Sequence, residues 1–407
     1  MTLHIRNARV ITLARGPRRG AASGDLAVIE RGDVVVLGDK IAGVGPRLSP
    51  GRIVETIDAH GRVLMPGFVD CHTHACWAGD RLDEWEMKRR GVPYLDILKA
   101  GGGIMSTVRA VRAASEQDLA ASLGARLETM LREGTTTVEV KSGYGLSAEH
   151  ELKMLRAIRA AAATPGGPTV AVTALLGHAI DPDAPGFVDG TIGATLDAVH
   201  AAFPGIAVDA FCEQGAWSLA DTVRLLTRAG ELGHPVRVHA DQFNALGMTR
   251  EGVRLGAVSV DHLEASTPDD LRLLAASPTF GVVLPICGFH VDGRYANGRA
   301  FIDAGGAIAL ATNYNPGSAP CPSMPMAIAL GVRHCGLSPG EAIAACTVNA
   351  ATLLGLSDRG TIAVGQRADM ILLRHTDERM LAYEFGGNPV DAVILGGAVV
   401  RADALRA

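Results

Sequence analysis

Between residues 66 and 358 the chain keeps returning to one alternation, a short apolar strand-like run followed by an amphipathic or polar stretch. The runs are GFVDCHTH, TTTVEVKSG, TVAVTALLG, GIAVDAFCE, PVRVHAD, AVSVDHL, TFGVVLP and AIALATN. Helical segments between them include SEQDLAASLGARLETMLREG, SAEHELKMLRAIRAAA, SLADTVRLLTRAGELG and TREGVRLG. Parallel strands need crossovers of this kind, and eight units in about 290 residues match the length of a (β/α)8 barrel.

The two ends read differently. LHIRNARVITL, LAVIERGDVVVLGDKIAGVG and RIVETIDAHGRVLMPG are β-like runs broken by Gly and Asp, and the texture returns in GTIAVGQRADMILLR and DAVILGGAVVRA. The expected organisation is therefore α/β: a TIM-like (β/α)8 barrel over residues 66–358 and a small β-sandwich domain made by both termini, residues 1–65 and 359–407. With 48% hydrophobic and 20% charged residues the chain can bury a large core. A net charge of -5 with interspersed signs excludes a nucleic-acid footprint or a polybasic membrane patch. No uninterrupted apolar run is long enough to span a bilayer, and the N-terminus lacks the pattern of an export signal. The seven cysteines are scattered without a CxxC pair, which points to reduced thiols and a cytoplasmic location. Cys71 and Cys76 are expected to pack rather than ligate.

Polar residues fall repeatedly where the strand-like runs end, the face on which barrels build active sites. The first run ends in His72 and His74, the fifth in His239, the sixth in His262 and the eighth in Asn313. Strand residues two apart point to the same side, so His72 and His74 can present two imidazoles to one cation, with His239 as a third. A lone histidine at a strand end is usually a packing group; the joint placement is the signal. Such a set leaves open positions for water and substrate, and points to hydrolysis of an amide or amidine. His262 is placed to orient the nucleophile or accept its proton.

PGFVDCHTHACWAGDR resembles the first-strand signature of the amidohydrolase superfamily, whose members join a metal-bearing (β/α)8 barrel to a small β domain from both termini. GVPYLDILKAGGGIMSTVRAVRAASE, GTTTVEVKSGYGLSAEHELKMLRAIR, VHADQFNALGMTREGVRLGAVSVDHLE and NPGSAPCPSMPMAIAL are similar to segments of the imidazolonepropionase family. The resemblance spans nearly the whole chain. It implies opening of 4-imidazolone-5-propanoate to N-formimino-L-glutamate in histidine degradation, one Zn or Fe ion per chain, and a homodimer. It implies that His72, His74 and His239 hold the metal, that His262 is the sixth-strand histidine, and that Arg81, Tyr144, His178 and, more weakly, Tyr94 hold substrate. Asn315, Gly317 and Ser318 match the eighth-strand loop that contacts substrate or product. An anionic propanoate calls for an arginine fork and neutral donors.

GGG at 101–103 lacks the Lys-Ser/Thr of a phosphate loop and instead resembles a loop near the substrate. Met324 and Met326 sit at helical spacing among apolar neighbours, the pattern of core packing.

Three departures from the family pattern bear on mechanism. ATNYNPG places Asn313 where the family usually has Asp, so the position of a metal ligand and proton acceptor holds a neutral amide. Gln242 stands where some relatives have Glu; it can bond substrate but cannot take a proton, leaving His262 or bulk water as base. GVVLPICGFHVDGRYANGRAF departs from the expected seventh-strand segment. Hydrolysis or deamination of another heterocycle, and ligand binding without turnover, stay open at this stage.

Overall fold

The computed structural model describes residues 2–49, 51, 55–92, 96 and 101–402. The N-terminal runs form β1 (Thr2–Ile11), β2 (Val28–Leu37), β3 (Lys40–Gly45), β4 (Glu55–Asp58) and β5 (Val63–Pro66). The eight apolar runs form β6 (Phe68–Asp70), β7 (Thr135–Lys141), β8 (Thr169–Gly177), β9 (Ala207–Cys212), β10 (Arg237–Ala240), β11 (Ser259–His262), β12 (Phe280–Val283) and β13 (Ile308–Leu310). Near the C-terminus lie β14 (Met370–Leu373), β15 (Val390–Leu395) and β16 (Ala398–Ala402).

β6 to β13 pair in sequence order, each parallel to the next. All seven residues of β7 and all four of β10, β11 and β12 are buried, as parallel strands covered on both faces must be. The seam between β13 and β6 closes just beyond the strand ends, where Asn313 N–H donates to the His72 carbonyl and His74 N–H to the Tyr314 carbonyl, each at 3.0 Å. The ring is thus completed by the residues singled out for chemistry. Ser115, Ser147, Ser218 and Thr267 start the helices Glu116–Arg132, Ala148–Ala162, Leu219–Glu231 and Pro268–Ala275, each side-chain oxygen accepting from a backbone N–H three residues on.

The remaining strands join into one mixed sheet in the order β16-β15-β14-β5-β1-β2-β3, with β4 also on β1. Its two faces separate by the two-residue period of a strand. Met370, Leu372, Ala392, Ile394 and Leu64 share a core with Leu3, Ile5, Val34, Val36 and Ile41, so the sheet curls over its own apolar face. Ile371, Leu373, Val393, Leu395, Val63 and Met65 belong instead to the large core that runs through the barrel, which fuses sheet and barrel along one apolar seam.

Candidate active site and metal centre

At the C-terminal end of the barrel His74, Tyr144, His178, Phe211, His239, Gln242, His262, Asn313, Asn315 and Ser318 line one small cavity, and His72 is fully buried beside it. The histidines are oriented from behind. A carboxylate or carbonyl oxygen only accepts, so each Nδ1 facing one carries the proton and its Nε2 keeps a lone pair. His72 Nδ1–H donates to Asp261 at 2.6 Å, His239 to Asp209 at 3.1 Å, His262 to Glu264 at 3.2 Å and His178 to the Gly143 carbonyl at 3.0 Å.

Ring nitrogens of His72, His239 and His262 lie within 4.8 Å of one another, and His74 Nε2 is 3.3 Å from His239 Nε2. His262, placed by sequence behind the ligands, is brought into the cluster itself. Burial pushes the imidazoles of His72 and His74 well below their ordinary range, lowers that of His239, and takes His178 down to about 3. They are therefore neutral donors. His72 Nε2, His74 Nδ1 and Asn313 Oδ1 are buried without a hydrogen-bond partner among the described residues. Uncompensated buried lone pairs are costly, and neutral imidazoles converging on one point fit a divalent cation.

Beneath the histidines lies an ion network that the sequence reading missed. Lys141 Nζ bonds Glu139 at 2.7 Å and Asp209 at 2.8 Å. Arg237 bonds Asp261 at 2.7 Å, Glu139 at 3.2 Å, Ser259 Oγ at 2.9 Å and the Cys71 carbonyl at 2.9 Å. All five charged groups are buried, and two of the carboxylates are those that hold His72 and His239. The signal was charge inside apolar strands, Glu139 and Lys141 two residues apart and Arg237 two before His239: Glu, Lys and Arg are almost never buried unless paired. Asp261→Asn is expected to weaken metal binding about 10–100-fold, because the amide no longer imposes one tautomer on His72. Competition with a chromophoric chelator measures it, and unchanged affinity would remove Asp261 from this role.

The strand ends carry backbone strain where the site is built. Asp241 (φ +58°), His262 (+90°), Leu263 (+73°) and Asn313 (+57°) are all left-handed. Each such residue costs about 1–3 kcal/mol and persists only where its surroundings enforce it, as at active sites. In KSGYG, Gly143 has φ +113°, and a Cβ there would lie 2.9 Å from the Leu175 carbonyl oxygen. The Glu151 carboxylate accepts from the backbone of Gly143, Gly145 and Leu146 at 2.7–2.9 Å, so the loop wraps one anion and delivers Tyr144 beside His178, with ring centroids 5.0 Å apart.

Other residues lie farther out. Arg81 and Gly317 line an adjoining outer groove with Trp77, Trp85 and His290. The Arg81 guanidinium is paired with Glu84 and reaches Thr107 Oγ1 at 3.4 Å. Asn315 braces the eighth-strand loop, its Oδ1 accepting from Gly317 N–H at 2.8 Å and Ser318 N–H at 2.7 Å. Gln242 Nε2 donates to Cys287 Sγ at 3.3 Å. Gly103 N–H donates to Glu84 at 2.8 Å, and Gly101 and Gly102 line a separate pocket that shares Arg81 and Glu84 with that groove. Met324 is buried and Met326 packs against the core; Cys71 and Cys76 lie in apolar clusters, and all seven cysteines are unpaired. Tyr94 lies outside the described residues. Among the described residues no helix is long and apolar enough to cross a membrane.

The Amidohydrolase family model matches residues 63–400. A protein of Deinococcus radiodurans named imidazolonepropionase is 45% identical, over 98% of this chain and 99% of its own. One of Herpetosiphon aurantiacus with the same name is also 45% identical, over 98% and 97%. Among solved structures, a triazine hydrolase variant superposes with a TM-score of 0.74 at 18% identity, covering 99% of this chain and 95% of that one. An adenosine deaminase from Xanthomonas campestris with bound zinc gives 0.71 at 19% identity, covering 98% and 93%. At such identities these two speak for the fold alone, and the shared barrel with its terminal sheet is what they have in common with it. Near-complete coverage at 45% identity goes further than shared architecture: the chain belongs to the amidohydrolase family and, within it, to the imidazolonepropionases.

Proposed function

We propose that this cavity hydrolyses the ring amide of 4-imidazolone-5-propanoate to give N-formimino-L-glutamate, with a Zn or Fe ion held by His72, His74, His239 and Asn313. The observation that carries the reading is the convergence of neutral, buried imidazoles and an unpartnered amide oxygen in a chain of this family. When bound, such an ion brings the pKa of water to about 7 and polarises the scissile carbonyl.

The protein's own groups do the rest. His262, tied through Nδ1 to Glu264, offers its Nε2 lone pair to the proton of the attacking water. As the oxygen adds to the carbonyl carbon and the ring C–N bond breaks, His262 returns that proton to the departing nitrogen. Tyr144 keeps its phenolic proton, because burial pushes its pKa up, and serves as a donor. Neutral His178 and Gln242 supply further hydrogen bonds in the cavity. Arg81, in the outer groove beside Gly317 of the eighth-strand loop, takes the propanoate while Glu84 holds its opposite edge.

Turnover of 4-imidazolone-5-propanoate, its loss on chelation and its return with Zn2+ or Fe2+ test the assignment directly; no turnover at full metal loading would overturn it. Arg81→Met is expected to lower kcat/KM by about 2–4 kcal/mol, the range for losing a buried charged hydrogen bond, with most of the effect in KM. Unchanged kinetics would move the carboxylate to another group.

A further inference from the structure

His262 and Glu264 also belong to a second cluster, whose third member, Cys287, the reaction above does not use. One donor atom each from His262, Glu264 and Cys287 lie within 4.8 Å of one another. The three come from two separate places in the chain, the end of β11 and the helix Pro285–Val291. Glu264 Oε1 meets His262 Nδ1 at 3.2 Å, while Oε2 is buried with no hydrogen-bond partner among the described residues. Its side chain is only 5% exposed, and Cys287 is 2% exposed. A carboxylate oxygen withdrawn from water and left unpaired is costly unless something occupies its lone pairs.

We propose that His262, Glu264 and Cys287 form a second, inhibitory site for a thiophilic divalent cation such as Zn2+. Imidazole, carboxylate and thiolate are ligands that zinc accepts together, and the sulfur disfavours Mg2+ and Ca2+. On binding, the Cys287 S–H bond breaks, a sulfur–metal bond forms and the proton leaves to solvent. No oxidant or reductant takes part. The same ion takes His262 Nδ1, so the one proton of the neutral imidazole shifts to Nε2. His262 then presents an N–H to the cavity where it had offered a lone pair, and the proton acceptor is lost. The inhibitory part of this inference rests on the proposed role of His262; binding at the site does not.

The test titrates the metal-free full-length protein with Co2+ and Zn2+. Expected are two bound equivalents, the second accompanied with Co2+ by a near-ultraviolet thiolate-to-cobalt band and with Zn2+ by a fall in turnover of about 10²-fold, the value of a positioned base. Cys287→Ser should keep the first equivalent and lose the band and the inhibition. Glu264→Gln, which retains the thiol, should weaken the second equivalent and supplies the answer if the cysteine variant does not fold. Saturation at one equivalent, or a thiolate band that survives in Cys287→Ser, overturns the site. A second equivalent that leaves turnover unchanged overturns its inhibitory role. Absence of turnover at one equivalent counts against the functional reading alone, since stoichiometry and band still decide the site.

Discussion

Asn313→Asp is expected to raise the rate of 4-imidazolone-5-propanoate hydrolysis by about a hundredfold or more at matched metal loading. Asn313 Oδ1 borders a buried space shared with His74, His239 and His262 and meets no donor among the described residues. A carboxylate in that place adds a charged ligand and a proton acceptor, and positioned acid–base groups are worth about 10²–10⁴ in rate. The backbone is already suited to the exchange, because Asn and Asp are the non-glycine residues that best tolerate the left-handed φ of +57° found there. A thermodynamic signature accompanies the kinetic one. The underlying network already sets three carboxylates, Glu139, Asp209 and Asp261, against two cations, Lys141 and Arg237. One more buried negative charge should therefore make the metal-free protein less stable and the metal-bound protein more dependent on its ion. Steady-state kcat, together with the gap in melting temperature between metal-free and metal-loaded forms, measures both. Equal rates in the two proteins would leave His262 as the sufficient proton acceptor.

Lys141→Met is expected to destabilise the protein by about 3–5 kcal/mol, the usual consequence of removing one partner from a buried ion network. Its ammonium is completely buried between Glu139 and Asp209. Methionine fills much of the same volume but leaves Asp209 without its ammonium partner and Glu139 with Arg237 alone. The contrast is with Arg90→Met, which breaks an exposed i,i+4 pair to Glu86 and should cost under about 1 kcal/mol. Urea unfolding of metal-free protein compares them. Because Asp209 also holds His239, the Lys141 variant should lose metal affinity as well as stability. A Lys141→Met protein as stable as its parent would show that the network contributes no net stability.

Much of the architecture was legible along the chain. The eight apolar runs became β6 to β13, and His74, His239 and His262 from their ends line one cavity with His72 buried beside it. These features are local: side-chain alternation, helix caps and strand-terminal polar residues are written in contiguous residues. The ion network was visible only as an oddity, Glu139 and Lys141 on one face of a strand otherwise fit for burial, because nothing in TTTVEVK names Asp209 or Arg237 as partners. Arg81 illustrates the same limit. Its motif identified the residue, but its pairing with Glu84 and its position in the outer groove follow from how the helix Leu82–Arg89 shares that groove with His290 and Gly317.

By itself, then, the sequence determined the strand and helix pattern, the family, and which histidines stand at strand ends. The tertiary structure alone decided what those histidines can do. His72 takes its tautomer from Asp261, 189 residues away, and His262 comes within 4.8 Å of His72 and His239 only because parallel strands close into a ring. Spacing within a strand is set by backbone geometry and can be read from neighbours. Distances across a barrel are set by its closure, and closure depends on every strand at once.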